Sequence, residues 1–443
     1  MRINTTPPSG FLELTPSLQL EFEKLKKIIE ETYQMYGFTP LDTPLIERSS
    51  TLLAKGSEET DNQIYFVKNK NSKEENELAL RFDLTVPLAR YVANNINNLT
   101  FPFKRSHIGK VYRGERSQAG RFREFYQCDI DIIGKENLSI HYDAEIPSII
   151  YQIFKKMDIG KFKIKINNRK ILNGLFEEIG LTVPFSKVLA IIDKSEKITK
   201  SELVNEFYKL EIEENQIKNL ENFMCIKGDV KNVIEKLKDL PIKNYIFNQG
   251  IEELEIVTNT MIMLNVPPSY FEIDLSIVRG LDYYTGTVYE TIMEDNNIGS
   301  VCSGGRYDNL LENYSENLPG VGISIGLSRL FYCLKESGII KERKKTIADV
   351  IIITNNKENI KTGIETANTL RTNNINVDFL FEDMKIKKKY AYIDKLNTPF
   401  VIVVKDIDEK EVLSLQYRKN GNLEKEILTM NQILKIISDE LKI

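Results

Sequence analysis

The segment Arg105–Gly134, RSHIGKVYRGERSQAGRFREFYQCDIDIIG, constrains this chain more than any other stretch. It reads as two strands around a polar turn, with the loop at Ser117–Gly120. Side chains alternate between the faces of a strand, so from Arg121 onward the odd positions share one surface. That surface carries Arg121, Arg123, Phe125, Gln127, Asp129 and Asp131, and the even face carries Phe122, Tyr126, Cys128, Ile130 and Ile132. Arg113 and Glu115 share a face on the incoming strand by the same rule. A solvated sheet face explains the alternation but not the order: arginines near the turn, then an aromatic, then an amide and acids. That gradient suits an elongated ligand with phosphates at one end and a cationic amine at the other.

Composition narrows the classes. A chain of 443 residues holds two or three domains, each large enough for its own core. The net charge of −4 does not point to nucleic acid, yet a local basic face can still dominate contact with phosphates. Cys128, Cys225, Cys302 and Cys333 show no metal-ligand spacing and read as reduced thiols of a cytosolic protein. With only His107 and His141, a His-rich metal site is out, and no nucleophile elbow accompanies either histidine. No apolar run approaches the roughly 20 residues of a membrane span. The N-terminal MRINTTPPSG lacks a signal peptide's basic and apolar regions, so a cytoplasmic protein with no membrane partner is expected.

Along the chain, Pro16–Tyr36 is predicted helical and closed by Gly37, with Leu18, Phe22, Leu25, Ile28, Thr32 and Tyr36 in one stripe. FTPLDTPLIE follows as an extended segment whose Pro40 and Pro44 restrict pairing to an edge. Leu78–Asp83 is a predicted strand, and Thr85 is expected to cap a helix to about Asn95. A helix at Tyr142–Met157 and a strand at Phe162–Ile166 come next. From 168 to 255 a mostly helical insertion is expected, rich in Glu, Lys and Asn; its alternative is a helical part of the main domain. Strands return at 271–293 and 300–303, a helix is expected from Arg306, and GVGISIG leads into a helix near Leu327. Beyond a polar linker at 341–345, alternating strands and helices predict a compact α/β domain with a largely parallel core.

Four segments are dense in polar groups: RFDLTVPLARYVA (81–93), the hairpin, RGLDYYTGTVYE (279–290) with SVCSGGRYDNLL (300–311), and GVGISIGLSRLF. Singly each has a plain structural explanation: an Arg81–Asp83 surface pair, a turn at Gly304–Gly305, glycines for close packing, or core tyrosines at 283 and 284. Together they place arginines 113, 121, 279 and 329 in strand or strand-to-helix contexts. Buried or cleft-facing guanidiniums require anionic partners, and these motifs hold too few carboxylates, so phosphate is the natural candidate. Asp83, Asp131 and Gln127, beside the tyrosines, suit a small cationic ligand. No glycine-rich phosphate loop is present, so side chains and sheet must hold the nucleotide.

At these residues the chain resembles the histidyl-tRNA synthetases, a class II aminoacyl-tRNA synthetase family. YRGERSQAGRFREFYQCDIDIIG resembles motif 2 in its histidine-specific form, and GVGISIGLSRLF resembles motif 3. YGFTPLDTPLIE is similar to the dimer-forming motif 1, and RGLDYYTGTVYE and CSGGRYDNLL to the two histidine-specific segments. The tail, including KKKYAYIDKLNTPFVIVV, resembles the anticodon-binding domain. PSGFLELTP stands in place of the family's more usual Gly-Thr-Arg-Asp stretch, a departure that concerns packing near the site entrance and not the chemistry.

The resemblance implies an α+β catalytic domain on a mainly antiparallel sheet with flanking helices, in residues 1–167 and 256–340, around the insertion at 168–255. An α/β anticodon-binding domain would occupy 346–443. It implies L-histidine, ATP and tRNA-His as substrates, Mg²⁺ carried by ATP without a protein-liganded metal, and a homodimer. Arg113 would hold the α-phosphate and the substrate carboxylate, and Arg279 would stabilise charge on that phosphate. Arg121 and Arg329 would take the γ-phosphate end, Phe125 would stack on adenine, and Glu115 would bond its amino group. Asp83, Leu84, Thr85 and Gln127 would line the α-amino end, while Asp131 and Tyr284 read the imidazole and Tyr283 shapes the pocket. Arg123 and Asp129 would be supports. Lys385–Lys389 is a candidate tRNA-backbone contact, or equally a solvated helix start. Two other readings are a non-catalytic, synthetase-like regulatory subunit of ATP phosphoribosyltransferase and an inactive tRNA-binding module.

Overall fold

The computed structural model describes residues 3–442 apart from 55–61, 71–75, 117, 193–194, 196–197, 279–283, 295–298, 310–311, 313–317, 343, 409 and 420–421. The chain divides into two compact units, Met1–Glu13 with Leu25–Ile340, and Leu14–Lys24 with Lys341–Ile443. Among the described residues no helix is long and apolar enough to cross a membrane.

The first unit contains strands β1 (Thr39–Pro40), β2 (Ile46–Arg48), β3 (Phe66–Val67), β4 (Leu78–Leu80), β5 (Phe103–Tyr112) and β6 (Glu124–Ile133). They are followed by β7 (Phe162–Asn168), β8 (Lys227–Gly228), β9 (Phe271–Asp274), β10 (Thr287–Met293), β11 (Ser300–Tyr307) and β12 (Gly320–Gly326). Among the described residues nine of these make one sheet, in the order β1-β5-β6-β12-β11-β10-β7-β9-β8, while β2, β4 and β3 form a small second sheet. The β1–β5 and β7–β9 pairs are parallel and the other pairs of the large sheet antiparallel, as a mainly antiparallel α+β core requires. Pro40 lies in the edge strand β1, where its missing N–H is harmless.

The helix Tyr142–Met157 has the predicted bounds. The region after β7 is helical from Arg169–Glu178 to Tyr245–Met263, and it belongs to the first compact unit. It also lends the short strand β8 to the sheet edge.

Several local expectations change. The hairpin strands stop at Tyr112 and Glu124, so Arg121 and Arg123 sit in the connecting loop. One backbone bond, Arg113 N–H to Arg123 O at 2.9 Å, still extends the ladder toward the tip. The carboxylate of Asp83, not Thr85, caps the helix Thr85–Asn95: its Oδ1 accepts from Val86 N–H at 2.9 Å. The helix expected from Arg306 is strand, because β11 runs to Tyr307, paired with β12. Arg81 makes no surface pair with Asp83; it is buried and donates to the carbonyls of Lys110 and Thr43 at 2.8 and 2.7 Å.

In the second unit, β13 (Val350–Thr354), β14 (Val377–Phe379), β15 (Phe400–Ile407), β16 (Lys410–Lys419) and β17 (Asn422–Leu428) form a sheet in the order β14-β13-β15-β16-β17. The first three are parallel and the last two add on antiparallel. The continuous apolar run Val350–Ile353 is what a central parallel strand covered on both faces needs. Its core gathers Val350, Ile352, Leu370, Ile402, Leu415, Ile433 and Ile437. In the basic run 385–389, Lys389 is buried and its Nζ donates to Thr354 O at 2.9 Å, which leaves Lys385, Lys387 and Lys388 exposed.

Candidate active site

On β6 the apolar face, Cys128, Ile130 and Ile132, is fully buried. The opposite face is not solvated either: Asp129 and Asp131 are each only 3 % exposed. Burying two carboxylates two residues apart is costly unless partners compensate, and the sheet supplies them. Arg105 on β5 lies opposite Asp131 in the strand register and is completely buried. Its Nη1 donates to Asp131 Oδ2 at 2.8 Å and its Nη2 to the Leu84 carbonyl. Tyr307 on β11 donates its hydroxyl to Asp131 Oδ1 at 2.9 Å.

Burial still dominates the charge state of these acids. Desolvation pushes the Asp129 carboxyl up to about 7; Arg105 opposes the rise, and Asp131 adds to it. Burial also raises Asp131, against the pull of Arg105 and the Tyr307 hydroxyl, and raises Asp83 against Val86 N–H and Arg113. His107, beside them on β5, is pushed down to about 3 by burial, then by Arg105 and Arg81. It is neutral at physiological pH, with Nε2 at 2.8 Å from Asp42 Oδ1.

Thr85, Asp129, Asp131, Tyr284, Ser303, Tyr307 and Ser324 line one cavity with the strand β12 as its wall. Gln127 donates Nε2 to Ser324 Oγ of that lining at 3.1 Å, while its Oε1 is buried with no hydrogen-bond partner among the described residues. Asp83 and Leu84, both buried, precede the helix whose first residue is Thr85. The close glycines of GVGISIG now have a reason. A Cβ on Gly322 would fall on Asp131 Oδ1 and lie 2.9 Å from Ile130 O. Gly322→Ala is therefore expected to displace the Asp131 carboxylate and raise the KM for the ligand of this cavity at least tenfold, measured by steady-state kinetics. An unchanged KM would contradict this packing argument.

Residues that the sequence marks as candidates for anion binding gather at the hairpin mouth. The Arg113 guanidinium lies between Phe82 and Phe125, 4.4 and 5.2 Å from their ring centres, and its Nε donates to Phe82 O at 3.3 Å. Such stacking holds the planar group in one orientation before any ligand arrives. Glu115 and Arg121 form an ion pair at 3.3 Å in the loop. The unusual N-terminal segment touches this entrance: Gly10 O accepts from Arg123 N–H at 2.8 Å, and Phe11 bridges to Glu124. Arg329 is half-buried in the first turn of the helix Leu327–Glu336, directly after β12. Arg279 and Tyr283 lie outside the described residues. Among the described residues no group of three or more His, Cys, Asp or Glu could hold a metal ion.

Sequence reasoning missed Arg105, Ser324 and Tyr307. Arg105 was within reach, since a tight hairpin register places it across from Asp131. Ser324 and Tyr307 belong to strands far along the chain, and only the sheet order sets them beside β6.

The arrangement combines a small acidic cavity that suits a cationic, hydrogen-bonding ligand with arginines at its mouth that suit phosphates. The family model described as "Histidyl-tRNA synthetase" matches residues 10–330, and the one described as "Anticodon binding domain" matches residues 349–440. The histidine–tRNA ligase of Clostridium tetani is 50 % identical over 434 residues, covering 97 % of this chain and 97 % of that relative. The crystal structure of histidyl-tRNA synthetase from Nostoc sp. PCC 7120 has a TM-score of 0.88 and 38 % identity, covering 99 % of this chain and 100 % of that one. A structure from Bacillus halodurans C, described as an ATP phosphoribosyltransferase regulatory subunit/histidyl-tRNA synthetase, shares the fold with a TM-score of 0.75 at 20 % identity, covering 92 % of this chain and all of that one. A hairpin face that suits an amine and phosphates, matched family models over both units, and half-identity across nearly the whole length agree: this chain belongs to the histidyl-tRNA synthetase family.

Proposed function

We infer that this chain is a histidine–tRNA ligase. It activates L-histidine with ATP to histidyl-adenylate and pyrophosphate, then transfers histidine to the 3′ end of tRNA-His. The observation that carries the reading is the ordered face of the hairpin: Arg113 pinned between Phe82 and Phe125 at the mouth, Gln127 inward of it, and buried carboxylates beyond.

In the first step a histidine carboxylate oxygen attacks the α-phosphorus, the new C–O–P linkage forms, and pyrophosphate leaves with the electron pair of the broken P–O bond. Two anions must be brought together, so positioning and charge stabilisation do the work, and no protein nucleophile takes part. Arg113 bridges the α-phosphate and the substrate carboxylate, and Arg279 stabilises the same phosphate. Phe125 stacks on adenine, Glu115 bonds its amino group, and Arg121 and Arg329 hold the γ-phosphate end. Gln127 Oε1, with Asp83, Leu84 and Thr85, receives the α-amino end; Asp131 and Tyr284 face the imidazole, and Tyr283 shapes its pocket. In the second step the tRNA's terminal hydroxyl attacks the carbonyl carbon and AMP leaves.

Mg²⁺ enters on the ATP phosphates, with water completing its shell. Glu115 is the one carboxylate of the loop 113–123, too few for a dedicated cage. The catalytic domain comprises 1–167 and 256–340, the helical insertion 168–255, and the anticodon-binding domain 346–443. The enzyme works in the cytoplasm as a homodimer built through the motif 1 segment. Lys385, Lys387 and Lys388 are offered to the tRNA backbone.

The test is ATP–pyrophosphate exchange with each of the twenty amino acids in turn, followed by charging of tRNA-His. Exchange with L-histidine alone and charging of that tRNA are expected. Absence of histidine-dependent exchange would reject the reading and leave the regulatory-subunit alternative standing.

A further inference from the structure

The order of the large sheet places β7 between β9 and β10. β9 runs parallel to β7 and β10 antiparallel, so the chain leaves β9 at Asp274 and enters β10 at Thr287 at one and the same end of β7. Asn167, Asn168 and Arg169 stand at that end. The β7–β9 ladder has stopped at Ile166 and Ile273, and beyond it two side chains continue the connection. Asn167 is fully buried; its Nδ2 donates to Leu275 O at 3.2 Å and to Ile277 O at 2.8 Å, and its Oδ1 accepts from Asn168 N–H at 2.7 Å. Both N–H donors of that amide are thus used on one short segment. Arg169, 5 % exposed, donates Nη2 to Val278 O at 2.8 Å, and its backbone N–H donates to Gly286 O at 2.9 Å.

These bonds close on the two described flanks of the stretch that carries Arg279, which itself lies outside the described residues. The Val278 carbonyl belongs to the peptide plane that joins Val278 to residue 279, so a bond to its oxygen orients the start of that stretch. On the returning flank, Tyr284 lines the cavity beside Asp131, and Thr285 N–H donates to Arg306 O at 2.8 Å. Leu275, Ile277 and Val278 are also buried. Apolar burial is non-directional and fixes depth, whereas hydrogen bonds to particular carbonyls fix rotation.

We propose that Asn167 and Arg169 are positioning residues for adenylate formation: they hold the main chain on both sides of Arg279 and thereby set where its guanidinium meets the α-phosphate. This rests on the reading of Arg279 as the group that stabilises charge on that phosphate. Both side chains act through the main chain of 275–286. A donor aimed at developing charge works only in the productive geometry, and a misplacement of about 1 Å costs about 10²-fold in rate. The loss falls on the chemical step, because the proposed ground-state contacts with ATP and histidine come largely from the hairpin and stay in place.

The experiment is a double-mutant cycle in the full-length chain, read by ATP–pyrophosphate exchange with L-histidine. Arg169→Met keeps the buried stem and removes the donor. It is expected to lower kcat about 10- to 100-fold, with the KM values for ATP and histidine changed less than about threefold. Arg169→Lys keeps the charge and an N–H donor, and should lose only about three- to tenfold. In an Arg279→Ala background, Arg169→Met should cost less than about twofold more, because the group it positions is gone. Asn167→Ser, too short to hold both carbonyls, should show the same dependence on Arg279. Equal losses with and without Arg279, a raised KM with kcat intact, or a fully active Arg169→Met would each overturn the proposal. If Arg169→Met fails to fold, the cycle is run on Arg169→Lys, whose smaller loss must likewise vanish beside Arg279→Ala. An Arg279→Ala enzyme with unchanged kcat would instead reject the underlying role of Arg279.

Discussion

Arg105→Met is expected to lower the unfolding free energy by about 3–5 kcal/mol, the cost of leaving one partner of a buried ion pair uncompensated. Arg105 is 0 % exposed, and it satisfies both the Asp131 carboxylate and the Leu84 carbonyl. It is also the main influence holding down the raised carboxyls of Asp129 and Asp131. Methionine fills much of the same volume, so the loss is electrostatic and not a cavity effect. The sign with pH follows: without the guanidinium both acids titrate higher, so the defect is worst at neutral and alkaline pH and shrinks as they take up protons in acid. Urea unfolding at pH 8 and pH 5 measures it. Adding Asp131→Asn should recover part of the loss, because the stranded charge is gone and the amide oxygen can still accept from Tyr307, even though the new amide N–H group faces the methionine without an acceptor. A single-variant change below about 1 kcal/mol at pH 8 would show that the pair does not carry the cavity.

Arg279→Ala is expected to reduce kcat for adenylate formation by about 10²–10³, the usual effect of losing one donor aimed at developing charge. The attack joins a carboxylate to a polyphosphate, and negative charge concentrates on the equatorial oxygens of the α-phosphorus as the bond forms. Arg113 lies against the Phe82 and Phe125 rings, and in the proposed mechanism it faces both reacting anions. The proposed mechanism gives the charge that appears only in the transition state to a second guanidinium, Arg279 of RGLDYYTG, which lies outside the described residues. Pre-steady-state exchange separates the possibilities. A raised KM for ATP with kcat intact would assign Arg279 to ground-state binding and end the argument.

How far the sequence carried the structure depends on the range of the interactions involved. Alternation along 125–131 identified the working face of β6 because pleating is a local property of the strand. The same alternation could not say where the hairpin ends. Arg121 and Arg123 belong to the loop, since ladder formation there competes with the bond between Gly10 and Arg123, a partner over a hundred residues away. Lys389 looked like one more basic residue in a solvated run, yet the parallel sheet sets the Thr354 carbonyl beside it. A helix was expected from Arg306, just after a possible turn at Gly304–Gly305; pairing with β12 holds Arg306 in a strand, and its guanidinium is spent on buried Asp143 at 2.7 Å.

By itself, then, the sequence determined the family, the two-part organisation, the chemistry of the hairpin face and the alternating α/β tail. The family follows from motifs the chain shares with its relatives, and the rest from residue type, spacing and periodicity, all written in the order of the chain. Only the tertiary structure decided that Asp129 and Asp131 are buried, that Arg105 and Tyr307 hold both oxygens of Asp131, and that Gly322 must lack a side chain. Burial and hydrogen-bond satisfaction depend on strands β5, β6, β11 and β12 meeting across more than two hundred residues of intervening chain, and no local pattern encodes which acceptor remains when they do.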